Sequence, residues 1–220
     1  MNDKVRWVSA ITTASLLLAT SAAAQAVVID RTGSMARQHQ IEADLQSGLA
    51  GAALYFRGIR LVFFSDEVMN APGITVMFDS RAGGSGIPRL EDAVKMQAVR
   101  EAGPKIAKAF AQQSPVHARA SNIAAAVVRA AEELASGMLV TDGKHEVAAP
   151  AGALTQHRLV VLLCPAITDS AADELVKYTE RERLIKMWAP KAEVFPCFKM
   201  RDAILRWASV QVSAVPVSSR

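Results

Sequence analysis

Short β-branched and aliphatic runs alternate along this chain with longer stretches whose apolar residues recur at helical spacing. Val27-Val28-Ile29 is the first such run, and it ends in Asp30. Met35 to Phe56 then carries Ile41, Leu45, Leu49, Ala52, Ala53 and Phe56 on one stripe with charged residues between, which predicts an amphipathic helix closed by Gly58. Ile59 to Phe64 is continuously apolar but for Arg60 and predicts a second buried strand. Pro72-Gly73 predicts a turn, and Ile74 to Phe78 a third strand close enough to pair with the second as a hairpin. Arg81 to Pro88 holds Gly83-Gly84-Ser85-Gly86 and predicts a flexible loop. It lacks the Lys-Ser/Thr that a phosphate-binding loop needs.

Leu90 to Ala102 and Pro104 to Gln112 predict two helical segments, Pro104 suiting a helix start. Ser114 to Asn122 predicts a loop, and Ile123 to Ser136 an Ala-rich helix ended by Gly137. Within residues 138–154, the turn Thr141-Asp142-Gly143-Lys144 separates Met138-Leu139-Val140 from Glu146-Val147-Ala148, which predicts a small hairpin insertion. Arg158 to Cys164 is the most apolar strand, stopped by Pro165. Asp173 to Trp188, with Leu175, Tyr178, Ile185 and Trp188 on one face, predicts an amphipathic helix. Glu193 to Cys197 predicts a final parallel strand, and Arg201 to Ser209 a closing helix. The alternation predicts an α/β fold: a doubly wound, mainly parallel central sheet with one antiparallel edge hairpin and helices on both faces.

The first 24 residues have a different character. Lys4 and Arg6 precede an uncharged stretch from Val8 to Leu18, followed by Ala22-Ala23-Ala24. A basic start, a short apolar middle and a small-residue cleavage signal match a secretory signal peptide. The apolar middle is shorter than the roughly 20 residues of a transmembrane helix. Cleavage after Ala24 leaves residues 25–220 as a single domain, exported to the periplasm or beyond a bacterial cell. The chain has 51% hydrophobic residues and a formal charge of +4. Its basic residues form no dense stripe with interleaved aromatics, which argues against nucleic acid as a partner.

Asp30-Arg31-Thr32-Gly33-Ser34 is the stretch richest in chemistry. Three hard oxygen donors in a loop at the carboxyl end of a strand suit Mg²⁺ better than a softer metal. In open α/β sheets ligands bind at that edge, where strand order reverses. The plainer role for Asp30 is to cap the helix that follows.

This motif resembles the metal-ion-dependent adhesion site of von Willebrand factor A (VWA) domains. Leu61-Val62-Phe63-Phe64-Ser65-Asp66-Glu67 resembles the ending of that family's second strand, and Ala120-Ser121-Asn122-Ile123 its next metal-binding segment. The resemblance implies a VWA/Rossmann-like fold in which Asp30, Thr32, Ser34 and Ser121 surround Mg²⁺ (or Mn²⁺). Thr32 stands where the family more often has Ser. The family's fourth strand ends in Thr-Asp-Gly, whereas the strand 158–164 ends in Leu163-Cys164-Pro165. Asp169 is the acid nearest to that ending and the favoured substitute. Asp142, in Thr141-Asp142-Gly143, is the alternative.

Cys164 and Cys197 both fall near strand exits, where a disulfide or two buried free thiols are possible readings. His39, His117, His145 and His157 are dispersed without metal spacing or a nucleophile partner and read as surface residues. The resemblance implies a protein-binding module, not an enzyme, recognising a carboxylate on a protein partner through the cation. A metal-independent scaffold of an envelope or secretion assembly is the alternative. A phosphatase in which Asp30 attacks phosphate would need a second Asp two residues on, where Thr32 stands.

Overall fold

A computed structural model of the chain describes residues 25–32, 35, 39–64, 73–78, 92–112, 122–132, 137–145, 155, 158–165 and 171–214. Strands β1 (Gln25–Asp30), β2 (Gly58–Phe64), β3 (Ile74–Met77), β4 (Met138–Thr141), β5 (Val160–Leu163) and β6 (Glu193–Pro196) form, among these residues, one six-stranded sheet. Its order is β3-β2-β1-β4-β5-β6. β3 runs antiparallel to β2, and every other neighbouring pair is parallel. This is the doubly wound arrangement: the chain builds outward from β1 through β2 and β3, then returns to the other side of β1.

Alternate residues of each central strand feed opposite layers, as a period of two requires. Val27, Ile29, Leu61, Phe63, Met138, Val140, Val160 and Leu162 join a core with α1 (His39–Ala50), α2 (Asp92–Gln112) and α5 (Met200–Ala214), where Trp207 is fully buried. Val28, Val62, Phe64, Leu139, Val161 and Leu163 join a second core with α3 (Ile123–Glu132) and α4 (Ala171–Trp188). Each fully buried Leu, Ile, Val or Phe contributes about 1.5–3 kcal/mol. Because β1 and β4 are covered on both faces, their sequences read as continuous apolar runs rather than alternating ones.

The expected α/β class, antiparallel edge and two-sided helical cover are all present, and several local expectations are corrected. Met138–Thr141 is no arm of an inserted hairpin. Its two edges are taken by β1 and β5, both parallel, so no antiparallel partner can pair with it. The second expected arm, residues 146–148, lies outside the described residues. Gly137 makes the entry into β4 beside α3 possible. A Cβ there would stand 2.3 Å from the carbonyl oxygen of Ala130, so only glycine lets the chain turn so close to the helix it has just left.

α2 runs unbroken through Pro104, where two segments were expected. Proline removes one helical donor, but Ala102, Ile106, Ala109 and Phe110 bury along the same face and hold the helix together. In α4, Ile185 is buried and Tyr178 and Trp188 pack beside it, whereas Leu175 is 68% exposed. At 100° per residue Leu175 lies about 80° round from Ile185, off the buried stripe.

Cys164 and Cys197 are joined in a disulfide, with Cα atoms 4.7 Å apart. The register explains the pairing: Leu163 lies opposite Pro196, so the next residues of β5 and β6 face each other as the strands end. Among the described residues, no helix is long and apolar enough to cross a membrane.

Gly137→Ala tests the tight return into β4. The added methyl must displace backbone rather than a flexible side chain, and the expected loss is about 1–3 kcal/mol of stability by urea unfolding. A wild-type midpoint would mean that the close approach constrains nothing.

Candidate functional site

Strand order reverses between β1 and β4, and the carboxyl ends of those strands form the crevice where this class of sheet binds ligands. Asp30 is the last residue of β1 and Thr141 the last of β4. Ile29 pairs with Val140, so the two polar residues come one step later at the same level. They share strand parity with Val28 and Leu139, which places them toward the α3–α4 layer.

Asp30 is 1% exposed, and both its carboxylate oxygens accept hydrogen bonds. The backbone N–H and the hydroxyl of Thr32 donate to Oδ1 at 2.9 and 2.7 Å. The Thr141 hydroxyl donates to Oδ2 at 2.7 Å. The first contact is an Asx turn, which bends the chain back over the end of β1 and explains an Asp followed two residues later by Thr. Thr141 Oγ1 in turn accepts the Gly143 N–H at 3.0 Å. Gly143 has φ of +76°, a conformation open to glycine, and a Cβ there would meet Leu163 and Arg181 at 2.6 and 2.9 Å.

Asp142 follows β4 directly and is also 1% exposed. Its Oδ1 accepts the Lys144 N–H at 2.8 Å, and its backbone carbonyl accepts from the Arg181 guanidinium of α4. Its Oδ2 is buried with no hydrogen-bond partner. A buried carboxylate oxygen left unpaired costs free energy, so its place in a native structure calls for an explanation such as a bound ion.

The electrostatics agree with this geometry. Burial first, and the charge of Asp142 second, push the Asp30 carboxyl up to about 6, while the three hydrogen bonds oppose that rise. Arg31 cannot neutralise the pair, because it points to the opposite layer. Its guanidinium bonds Glu42 at 2.5 Å, donates to the Phe110 carbonyl at 3.2 Å, and lies against the rings of Phe63 and Phe110. Two buried acids and two hydroxyls make an oxygen-only donor set, the chemistry that hard divalent cations select.

Of the residues singled out in the sequence, Asp30 and Thr32 meet at the crevice. Ser34, Ser121 and Asp169 lie outside the described residues, as do Ser65-Asp66-Glu67, Gly83 to Gly86, His117, His157 and residues 1–24. The acid that the described structure brings beside Asp30 is Asp142. Asp142 was the alternative acid in the sequence, whereas Thr141 was given no role at the site. The tripeptide Thr141-Asp142-Gly143 was the available signal, obscured by reading Met138-Leu139-Val140 as an insertion. His145 is not a simple surface residue: it is half-buried, and its Nδ1 accepts the Ile123 N–H at 3.2 Å.

No protein-family model matches this chain, and no curated protein matches it. Among solved structures it is similar to a von Willebrand factor type A protein from Catenulispora acidiphila, at 14% identity and a TM-score of 0.42. The match covers 84% of this chain and 42% of that one, so this chain spans less than half of that protein's length. The functional reading rests on the residues at the sheet edge rather than on this overall likeness.

With divalent ions chelated, the raised carboxyl of Asp30 makes folding favour its protonated form. Its contribution is therefore most favourable below about pH 4 and declines as pH rises to about 6, by up to about 3 kcal/mol. Asp30→Asn stays neutral throughout. Urea unfolding in chelator should show the variant gaining on the wild type by that order between about pH 4 and about pH 7. A constant difference would mean that Asp30 titrates as an ordinary carboxylate.

Proposed function

We propose that this chain is an exported protein-binding module whose crevice holds Mg²⁺ (or Mn²⁺) and recognises a carboxylate on a protein partner. One observation carries the reading: Asp142 Oδ2 is buried and unpaired beside a second buried acid, Asp30, at the switch point of the sheet. Asp30, Thr32 and Asp142 would hold the cation, with Ser34 and Ser121 as the further hydroxyl donors and Thr141 keeping Asp30 in place. Asp142 takes the role first given to Asp169. A divalent ion supplies positive charge to both acids and an open position for an anionic group.

The hydroxyls are suited to this arrangement. Those of Thr32 and Thr141 direct their protons at Asp30, and a hydroxyl that donates its proton retains acceptor lone pairs. An enzymatic reading fits less well. Asp30 is buried and accepts three hydrogen bonds, which blunts it as a nucleophile toward phosphate. Export is supported by the basic-apolar-small pattern of residues 1–24 and by the Cys164–Cys197 disulfide, a bond that persists in oxidising compartments.

Calorimetric titration of the protein with Mg²⁺ and Mn²⁺ tests the cation. Saturable one-site binding is expected, weakened about a hundred-fold or more by Asp30→Ala or by Asp142→Asn, the equivalent of about 3 kcal/mol. No binding by the wild type would overturn the reading in favour of a metal-independent scaffold, for which the internally bonded Asp30 is already suited. Export is read separately from the first residue of protein recovered outside the cytoplasm, expected to be Gln25.

A further inference from the structure

His145 ties the loop that carries Asp142 to the start of α3. It lies three residues beyond Asp142, on the loop leaving β4. Its Nδ1 accepts the backbone N–H of Ile123, the first residue of α3, 22 positions earlier in the chain. An accepting Nδ1 requires the neutral ring with its proton on Nε2. Burial lowers the pKa of His145, which favours that neutral form. The ring is fixed from the other side by Trp188 of α4, edge-on at 4.6 Å between centroids.

The loop itself is bedded on the same helix. Arg181 donates to the Asp142 carbonyl, and Gly143 approaches Arg181 and Leu163 so closely that a side chain would not fit. Arg181 and Trp188 are seven positions apart, two turns along one helical face. α4 thus supports both ends of the segment 142–145, and His145 reaches from it to α3. The bond is not needed merely to cap that helix, because Asn122 Oδ1 already accepts the Ala125 N–H at 3.0 Å. What the His145 bond adds is position. It ties the start of α3, one residue after Asn122 and two after Ser121, to the loop of Asp142.

We propose that His145 is a positioning residue for the cation site: through its bond to Ile123 it holds the loop that carries Asp142 in place against the start of α3. The inference rests on the cation reading above and adds a residue outside the proposed donor set. It makes the acceptor atom, rather than the bulk of the ring, the part that matters.

Three substitutions in the full chain separate these. His145→Asn places an amide oxygen where Nδ1 stands, His145→Gln extends its amide toward the position of Nε2, and His145→Leu keeps bulk without an acceptor. Mg²⁺ titration by calorimetry is expected to show Asn within about two-fold of the wild type, with Gln and Leu weakened about five-fold or more; a cap lost in this way typically costs about 1 kcal/mol. Thermal unfolding of each variant confirms that the compared proteins are folded, and the Asn–Gln comparison suffices if Leu is not. Equal affinity for Gln and the wild type would overturn the proposal while leaving the cation site standing. Equal weakening of all three would overturn it too, by assigning the effect to packing against Trp188. A wild type that binds no Mg²⁺ refutes the cation site itself, and this inference with it.

Discussion

The hydrogen bond from Thr141 to Asp30 joins the two strands between which the fold changes direction. Everything on one side of it, β2 and β3, is built outward from β1. Everything on the other, β5 and β6, is built outward from β4. At their carboxyl ends these central strands are capped by an acid and a hydroxyl where apolar residues precede both. The acid cannot reach water, being buried, so its hydrogen-bond partners must come from the chain. Among the described residues, Thr32 supplies two and Thr141 a third. Pairing of β1 with β4 in parallel register is what brings the third within reach, and a shift of one residue would turn Thr141 to the opposite layer.

This arrangement accepts an electrostatic cost at its centre. Two acids share a dehydrated crevice, and the nearest guanidinium in sequence, that of Arg31, is committed elsewhere. Arg31 instead bonds Glu42 of α1 and the carbonyl of Phe110 in α2. Its ion pair is shielded enough to be worth more than a surface one, and it fixes the backbone immediately after Asp30. Thus the residue between the acid and the first threonine anchors the loop to the α1–α2 layer. The opposite loop is anchored to the α3–α4 layer by Arg181 and His145. The two acids are thus held between loops anchored to both helical layers.

How much of this was legible in the sequence depends on how local the cause is. The strand Val27 to Ile29 ending in Asp30, the turn to Thr32 and the helical stripe through Leu45 and Leu49 are set by neighbouring residues, and they were readable. Cys164 and Cys197 could be placed at strand ends, but their opposition depends on the register of β5 with β6, which no local pattern specifies. Met138–Thr141 was misplaced because four residues are too few to show whether a strand has neighbours on both edges. The missing fact was steric: Gly137 lets the chain pass the Ala130 carbonyl at a distance no side chain permits. Once β4 is central, Thr141-Asp142-Gly143 falls at the switch point, while Asp169 lies outside the described residues. His145 was illegible for a similar cause, since its partner lies 22 residues earlier and its packing partner Trp188 43 residues later.

The same cost that strains the crevice gives it a use. Above about pH 6 Asp30 is ionised in the folded chain, against a net cost of about 3 kcal/mol from burial and the charge of Asp142, less what its hydrogen bonds return. A divalent cation bound there, as proposed, would remove much of that cost, a gain equivalent to up to about a hundred-fold in affinity. A well-solvated pair of surface acids offers no such gain, because water has already stabilised them. On the proposed reading, burial of Asp30 and Asp142 is what would let these two carboxylates compete with water for a hard ion. It also links occupancy to stability, since any ion that binds the folded crevice and not the unfolded chain holds β1 and β4 together. If the proposed cation binds, the site and the sheet would stabilise one another through the same few atoms.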